Sequence, residues 1–199
     1  MKLVLIGSLA ALMLGSLAFA QEGYRGGSVE RPFVEGGRVR LDLSSADYTV
    51  QAGDDDRVRV RWTPDDEAKV KDLRKLSVDV RVAGNQATVV TDGPVRHVRF
   101  VVEVPARSDV RLRMRAGDVH LKGIEGHTDV RMTAGDLTIA VRPESLARAH
   151  ASVTFGELDA RALGISKSGI KRTLNWIGGG TYALDARLGA GDLTLQETP

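Results

Sequence analysis

Strict alternation of apolar and polar residues begins at Arg38, where Val39, Leu41 and Leu43 are apolar and Arg38, Arg40 and Asp42 are charged. A period of two sends successive side chains to opposite faces, so the run predicts a half-buried β-strand. The same period returns in Val58, Val60 and Trp62, with Arg57, Arg59 and Arg61 between them, and in Val78, Val80 and Val82. It recurs from Val98 to Val104 and in Val110, Leu112 and Met114, opposite Arg111, Arg113 and Arg115. So many short, valine-rich strands separated by glycine or charged turns predict an all-β chain. One segment departs from this pattern. "TPDDEAKVKDLRKL" offers Thr63 as an N-cap, Pro64 at the first helical position and the i, i+4 pairs Asp65–Lys69 and Glu67–Lys71. These features predict one short helix over residues 64–76, with a charged loop as the alternative.

Inside the strand pattern lies a repeat. Ala-Gly-Asp followed by an apolar residue occurs at Ala116-Gly117-Asp118, Ala134-Gly135-Asp136 and Ala190-Gly191-Asp192. Two weaker copies keep the spacing at Phe155-Gly156-Glu157 and Ser45-Ala46-Asp47. Apolar residues lie two apart, then five apart across the glycine, as from Met114 to Val119, then two apart again. An odd step would turn the second arm's apolar side chains to solvent if the strand ran straight. A corner or bulge at the glycine removes the conflict, because glycine adopts backbone angles other residues avoid. Each copy is therefore expected to be a strand-corner-strand unit, with alanine facing inward, glycine turning the chain and the acid closing the turn. The corner residues are Ala46, Asp47, Gly117, Asp118, Gly135, Asp136, Gly156, Glu157, Gly191 and Asp192.

The corner glycines are spaced 18, 21 and 35 residues apart, the last step holding an insertion, "LGISKSGIKRTLNWIGGGTY". A period near 20 is one supersecondary unit per repeat, which predicts a short β-solenoid whose coils bury their faces against one another. An antiparallel β-sandwich is the alternative.

The chain opens with Lys2, an apolar run from Leu3 to Ala18, and Ala18-Phe19-Ala20. A charged start, an apolar stretch and small residues before the cut predict a signal peptide over residues 1–20. An uncleaved anchor is the alternative, and the membrane would then be met only through this segment. Residues 21–37, rich in glycine and charge without apolar periodicity, read as a flexible tether, leaving 38–199 as a single domain. The location expected is outside the cytoplasm: periplasmic, cell-surface or secreted. No cysteine is present, so neither a disulfide framework nor a lipidated cysteine can hold or anchor the exported chain.

Chemistry-bearing groups are scattered. The formal charge of +2 and an aromatic content of 5% supply neither a concentrated basic surface nor stacking platforms, which argues against nucleic acid. His97, His120, His127 and His150 show no paired metal-ligand spacing. Ser44, Ser45, Ser152, Ser166 and Ser168 sit in no nucleophile elbow. "IGGGTY" lacks the lysine of a phosphate loop, and "AGDDDR" reads as a solvated hairpin turn. Each corner offers one carboxylate, whereas calcium takes six to eight oxygens. No catalytic residue, cofactor or metal is therefore assigned. Trp176 reads as a lid on the last coil or, alternatively, as an exposed sugar-stacking ring. The arginines of the strands Arg57–Arg61 and Arg111–Arg115 read as charges that keep the faces soluble, or as a stripe for anionic glycans or lipopolysaccharide.

Taken together, the apolar leader, the acidic segment before "LSVDVRVAGNQATVV", the corners of "VVEVPARSDVRLRMRAGDVHLKGIEG" and the closing "LNWIGGGTYALDARLGAGDLTLQ" resemble the putative adhesin family of bacterial exported proteins. The resemblance spans nearly all of the chain after the leader. It implies a β-helix-like stack and a non-catalytic role in adhesion or envelope interaction, with an envelope protein or an anionic glycan as partner. A secreted polysaccharide-acting β-helix enzyme is the alternative, and it would need paired acids in a cleft.

Overall fold

The computed structural model describes residues 26–64, 75–93 and 97–198. The leader, the centre of the expected helix and residues 94–96 lie outside the described residues. Alternating strands dominate, as the period of two requires. In chain order they are β1 (Gly27–Pro32), β2 (Arg38–Leu43), β3 (Asp47–Gly53), β4 (Arg57–Pro64) and β5 (Ser77–Ala83). Then come β6 (Gln86–Asp92), β7 (Val98–Pro105), β8 (Asp109–Ala116), β9 (Val119–Lys122) and β10 (Thr128–Ala134). The last five are β11 (Leu137–Val141), β12 (Leu146–Ala160), β13 (Ile165–Ile177), β14 (Tyr182–Ala190) and β15 (Leu193–Glu197).

All of them join one sheet, ordered β1-β4-β7-β3-β9-β11-β15-β12-β14-β10-β8-β2-β6-β5, with β13 added beside β12. The sheet is rolled. One wall holds β6, β2, β8, β10 and β14, paired in parallel and in register, and the first half of β12. The opposite wall holds β7, β3, β9, β11 and β15, also parallel, and the second half of β12. Because β12 passes from one wall to the other, it closes that end. At the far end β1 and β5 come together, which leaves the roll nearly shut. Inward side chains of the two walls form one continuous core, with Leu41, Val50, Leu112, Leu137 and Leu158 fully buried in it. Burying these apolar surfaces, at roughly 25 cal/mol per Å² removed from water, is what a chain without cysteine relies on.

This architecture corrects the β-solenoid expectation. In a solenoid each coil stacks on its neighbour in sequence, but here the unit carried by β12 lies beyond the later unit β14–β15. A second departure is the run β4 to β7, inserted between the first unit and the second, which extends both walls. Antiparallel pairing is confined to β1–β4, β4–β7, β5–β6 and β12–β13, so an antiparallel sandwich does not describe the roll either. Sequence period alone reported the unit and not the order in which units stack.

Two local expectations also change. The segment read as a tether contains β1, which pairs with β4 along its whole length, and the indole of Trp62 lies over Gly27 where any Cβ would sit 2.4 Å from the ring. Phe33 follows, only 3% exposed. Pro64, expected to open a helix, instead ends β4, where it is the register partner of Val98. Among the described residues no α-helix occurs.

Candidate functional site

The corners come first because they position everything else. Gly117, Gly135, Gly156 and Gly191 all take positive φ, between +108° and +134°. They stack upon one another across the strands. A Cβ on Gly135 would meet the Gly117 carbonyl oxygen at 1.9 Å, one on Gly191 the Gly135 oxygen at 2.0 Å, and one on Gly156 the Gly191 oxygen at 1.9 Å. Gly117 faces the carbonyl of Ala46 in the same way. The row therefore runs Ala46, Gly117, Gly135, Gly191, Gly156, in the spatial order of the strands.

Alongside it runs a hydrogen-bonded ladder of acids. The N–H of Asp136 donates to Asp118 Oδ1 at 3.1 Å, that of Asp192 to Asp136 Oδ1 at 3.1 Å, and that of Glu157 to Asp192 Oδ1 at 3.0 Å. Each aspartate thus satisfies a backbone donor of the next corner, which a glutamate's longer side chain is less suited to do. Glu157 stands at the end, where no further corner presents an N–H. Asp47, at the other end, is exposed and extends no such bond among the described residues. The alanines are not inward as expected: Ala116 and Ala134 are half-buried and Ala190 is exposed. Met114 and Val119, the apolar residues either side of the corner, both reach the core.

Corners bend every unit at the same height, which sets the outer surfaces of both walls in register. Their chemistry differs. On the wall of β2, β8, β10 and β14, outward positions carry Arg38, Arg40, Arg111, Arg113, Arg115, Arg131 and Arg187 against Asp42, Asp109, Asp129 and Asp185. The middle of the other wall presents a row of Thr49, His120, Thr138 and Thr194, with charge gathered at its ends, in Arg59, Arg61, Arg99 and Glu103 on β4 and β7 and in Asp159 on β12. The arginine wall is also concave on its outside. Two depressions lie along it, one of about 850 Å³ touching Arg38, Arg111, Asp129 and His150, the other of about 840 Å³ touching Asp42, Arg113, Arg115 and Arg131.

Ion pairing on this wall is partial. Arg40 bonds Asp42 at 2.7 Å, Arg131 reaches Asp129 at 3.3 Å, Arg111 shares that carboxylate at 3.2 Å, and Arg187 meets Asp185 at 3.0 Å. Arg113 and Arg115 have no carboxylate partner among the described residues. By contrast, the second group of strand arginines is fully engaged. Arg57 and Arg59 hold Glu30, Arg59 also holds Asp55, and Arg59 and Arg61 hold Glu103. Burial pushes the Glu103 carboxyl up, but hydrogen bonds from Arg59 and Gln51 and the charge of Arg61 outweigh it and hold it below the usual carboxylate range. The Arg59 guanidinium is raised in turn by Glu30 and Glu103. These arginines lie on β4, on the other wall, so one stripe does not assemble from both groups.

The remaining candidates disperse. His127 Nδ1 accepts the N–H of Ala183 at 3.0 Å, so its proton sits on Nε2, and His150 bonds Asn175. No group of three or more metal-ligating side chains gathers among the described residues. Trp176 is half-buried and packs on the core, in the position of a lid. Asp55 of "AGDDDR" supports Arg59 from the β3–β4 turn. Sequence reasoning missed the concavity and the division of arginines into paired and unpaired sets. The i−2 carboxylate behind Arg131 and Arg187, absent behind Arg113, was the available signal.

No family model matches this chain, and no curated protein does. Solved structures do. A "putative cell adhesion protein" from Clostridium sporogenes superposes with a TM-score of 0.54 at 10% identity, over 87% of this chain and 100% of that one. A "putative adhesin" from Bacteroides fragilis aligns with a TM-score of 0.32 at 12% identity over 85% of this chain and 97% of that one. A "putative lipid binding protein" from Parabacteroides distasonis gives 0.26 at 10% identity over 87% and 95%. At such identities the first of these shows a shared fold, and the other two are too distant in shape to add to it. This chain is therefore an all-β protein with the fold of a protein named for cell adhesion.

Proposed function

We propose that this chain is a non-catalytic, exported, adhesin-like module that binds a component of the cell envelope through the concave outer wall of β2, β8, β10 and β14. The observation that carries the reading is the charge of that wall: seven arginines against four aspartates over a hollow surface, opposite a wall whose middle strands carry threonines. The fold shared with a cell adhesion protein supports the same class of role. The leader over residues 1–20 supports export, to the periplasm, the surface or the medium.

The enzyme alternative has less to stand on. Its candidate acids were the corner aspartates, and Asp118, Asp136 and Asp192 each commit Oδ1 to a backbone N–H. A glycosidase needs two carboxyls facing each other across room for a sugar.

A panel of envelope glycans and envelope proteins, presented to the purified domain without its leader, tests the proposal. Saturable binding that is lost on charge reversal at the concave wall, Arg111→Glu with Arg131→Glu, is expected. Binding unaffected by that reversal, or hydrolase or lyase turnover of a panel glycan, overturns it.

A further inference from the structure

Resting on that reading of the wall, we infer that the row Arg113, Arg131 and Arg187, with Arg115 beside it, is a site for a linear acidic polysaccharide running across the strands. Arg131 is the direct register partner of both Arg113 and Arg187, so three exposed guanidinium groups follow one another on adjacent strands, about 4.8 Å apart. Like charges set directly opposite are unfavourable in a sheet. The chain relieves this only partly. Asp185 backs Arg187, Asp129 is divided between Arg131 and Arg111, and Asp42, the register partner of Arg113 that ends the row, gives its ion pair to Arg40, so that Arg113 and Arg115 form no ion pair among the described residues. The unrelieved cations line the depression of about 840 Å³, together with Thr133.

The geometry selects among anionic ligands. A regular row at strand spacing suits a polymer with one carboxylate or sulfate per repeating sugar: Arg113 presents a free planar fork, and Arg131 and Arg187 the guanidinium edge not turned to their aspartates. A nucleic acid duplex presents two phosphate rows, whereas the adjoining outward row here is mixed, Arg40 and Arg111 followed by Asp129 and Asp185, so that a second phosphate row would meet two carboxylates. The carboxylates thereby narrow the site to one line of charge.

Oligogalacturonate serves as the probe, with a neutral dextran oligomer, a short DNA duplex and anionic phospholipid vesicles as comparisons, titrated by calorimetry at two salt concentrations. Wild-type protein is expected to bind oligogalacturonate, more weakly at high salt. Arg113→Gln with Arg131→Gln is expected to lower affinity at least about tenfold, the loss of one charge-assisted contact. Arg81→Gln, removing an exposed arginine on β5, three strands from the row, should leave it unchanged. Arg115→Gln alone, at an exposed position, gives the same direction if the double variant does not fold. Equal affinity for dextran, preference for duplex or vesicles, no binding of oligogalacturonate, or no effect of the variants would each overturn the inference. A different glycan or protein binding the same wall would overturn it while leaving the proposed function standing.

Discussion

The carboxylate of Asp136 accepts the backbone N–H of Asp192 at 3.1 Å, although 56 residues separate them in the chain. This bond is one rung of a ladder in which Asp118, Asp136 and Asp192 each hold the corner of the neighbouring unit. Asp136→Ala is expected to destabilise the fold by about 1 kcal/mol, the net worth of one hydrogen bond at an exposed site. Asp136→Asn keeps an acceptor oxygen and should restore most of the loss. Asp47→Ala, at the end that supports no rung, should be close to neutral. Urea unfolding of the three variants checks the order.

Glycine at the corner is a stricter demand than aspartate. Gly135 has φ +108°, and an added Cβ would stand 1.9 Å from the Gly117 oxygen. Gly135→Ala therefore combines left-handed backbone strain of about 1–3 kcal/mol with a clash against main chain, which has no flexible end to move aside. The expected result is a loss larger than for Asp136→Ala, or failure to fold. Ala46 closes the row without positive φ, so Ala46→Gly should cost no more than about 1 kcal/mol. Thermal melts compare the pair.

How much of this the sequence disclosed depends on the range of the interaction. The odd step from Met114 to Val119 foretold the bend, since apolar side chains on both arms must reach one core. Placing Glu157 beside Asp192 rather than Asp136 needed knowledge of strand order, which no local pattern contains. β1 escaped notice because GSVERP alternates over a single valine, and its stabilising contact, Trp62 over Gly27, is 35 residues away. The arginine wall was visible as residues and hidden as a site, because pairing is decided by which strand becomes the neighbour.

Glu103 gives the fold an acid limit. Its side chain is 11% exposed, between Arg59 and Arg61, and its carboxyl is held below the ordinary glutamate range. A carboxyl depressed in the folded state contributes stability above its unfolded value, and that contribution is lost as pH falls through the folded value. Stability is thus expected to fall below about pH 4.5 as Glu103 becomes protonated, together with Glu30 in the same network. Glu103→Gln should be less stable than wild type at pH 7 and should show a shallower decline on acidification. Denaturant midpoints from pH 7 to pH 3 test this, and parallel curves for the two proteins would contradict it.

A buried polar trio marks the first corner. Tyr48 Oη lies 2.7 Å from Thr91 Oγ1 and 3.0 Å from Ser44 Oγ, while the N–H of Ser44 donates to Thr91 Oγ1 at 2.9 Å. The Tyr48 ring stacks on Phe100, with ring centres 4.6 Å apart. Thr91 is the hub, because it is bonded to both other members and to main chain. Tyr48→Phe removes one hydroxyl but leaves Ser44 and Thr91 bonded to each other at 3.1 Å, so it is expected to cost about 1 kcal/mol. Thr91→Val keeps the shape yet deprives the Ser44 N–H of its acceptor and the Tyr48 hydroxyl of its shortest bond. Its expected cost is greater, about 2–3 kcal/mol, because a buried donor left unsatisfied bears its full desolvation penalty. The double variant should then fall short of the sum of the two single losses, since the bond between Tyr48 and Thr91 is removed only once. Chemical denaturation of the four proteins closes the cycle, and strict additivity would show that the trio does not act as a unit.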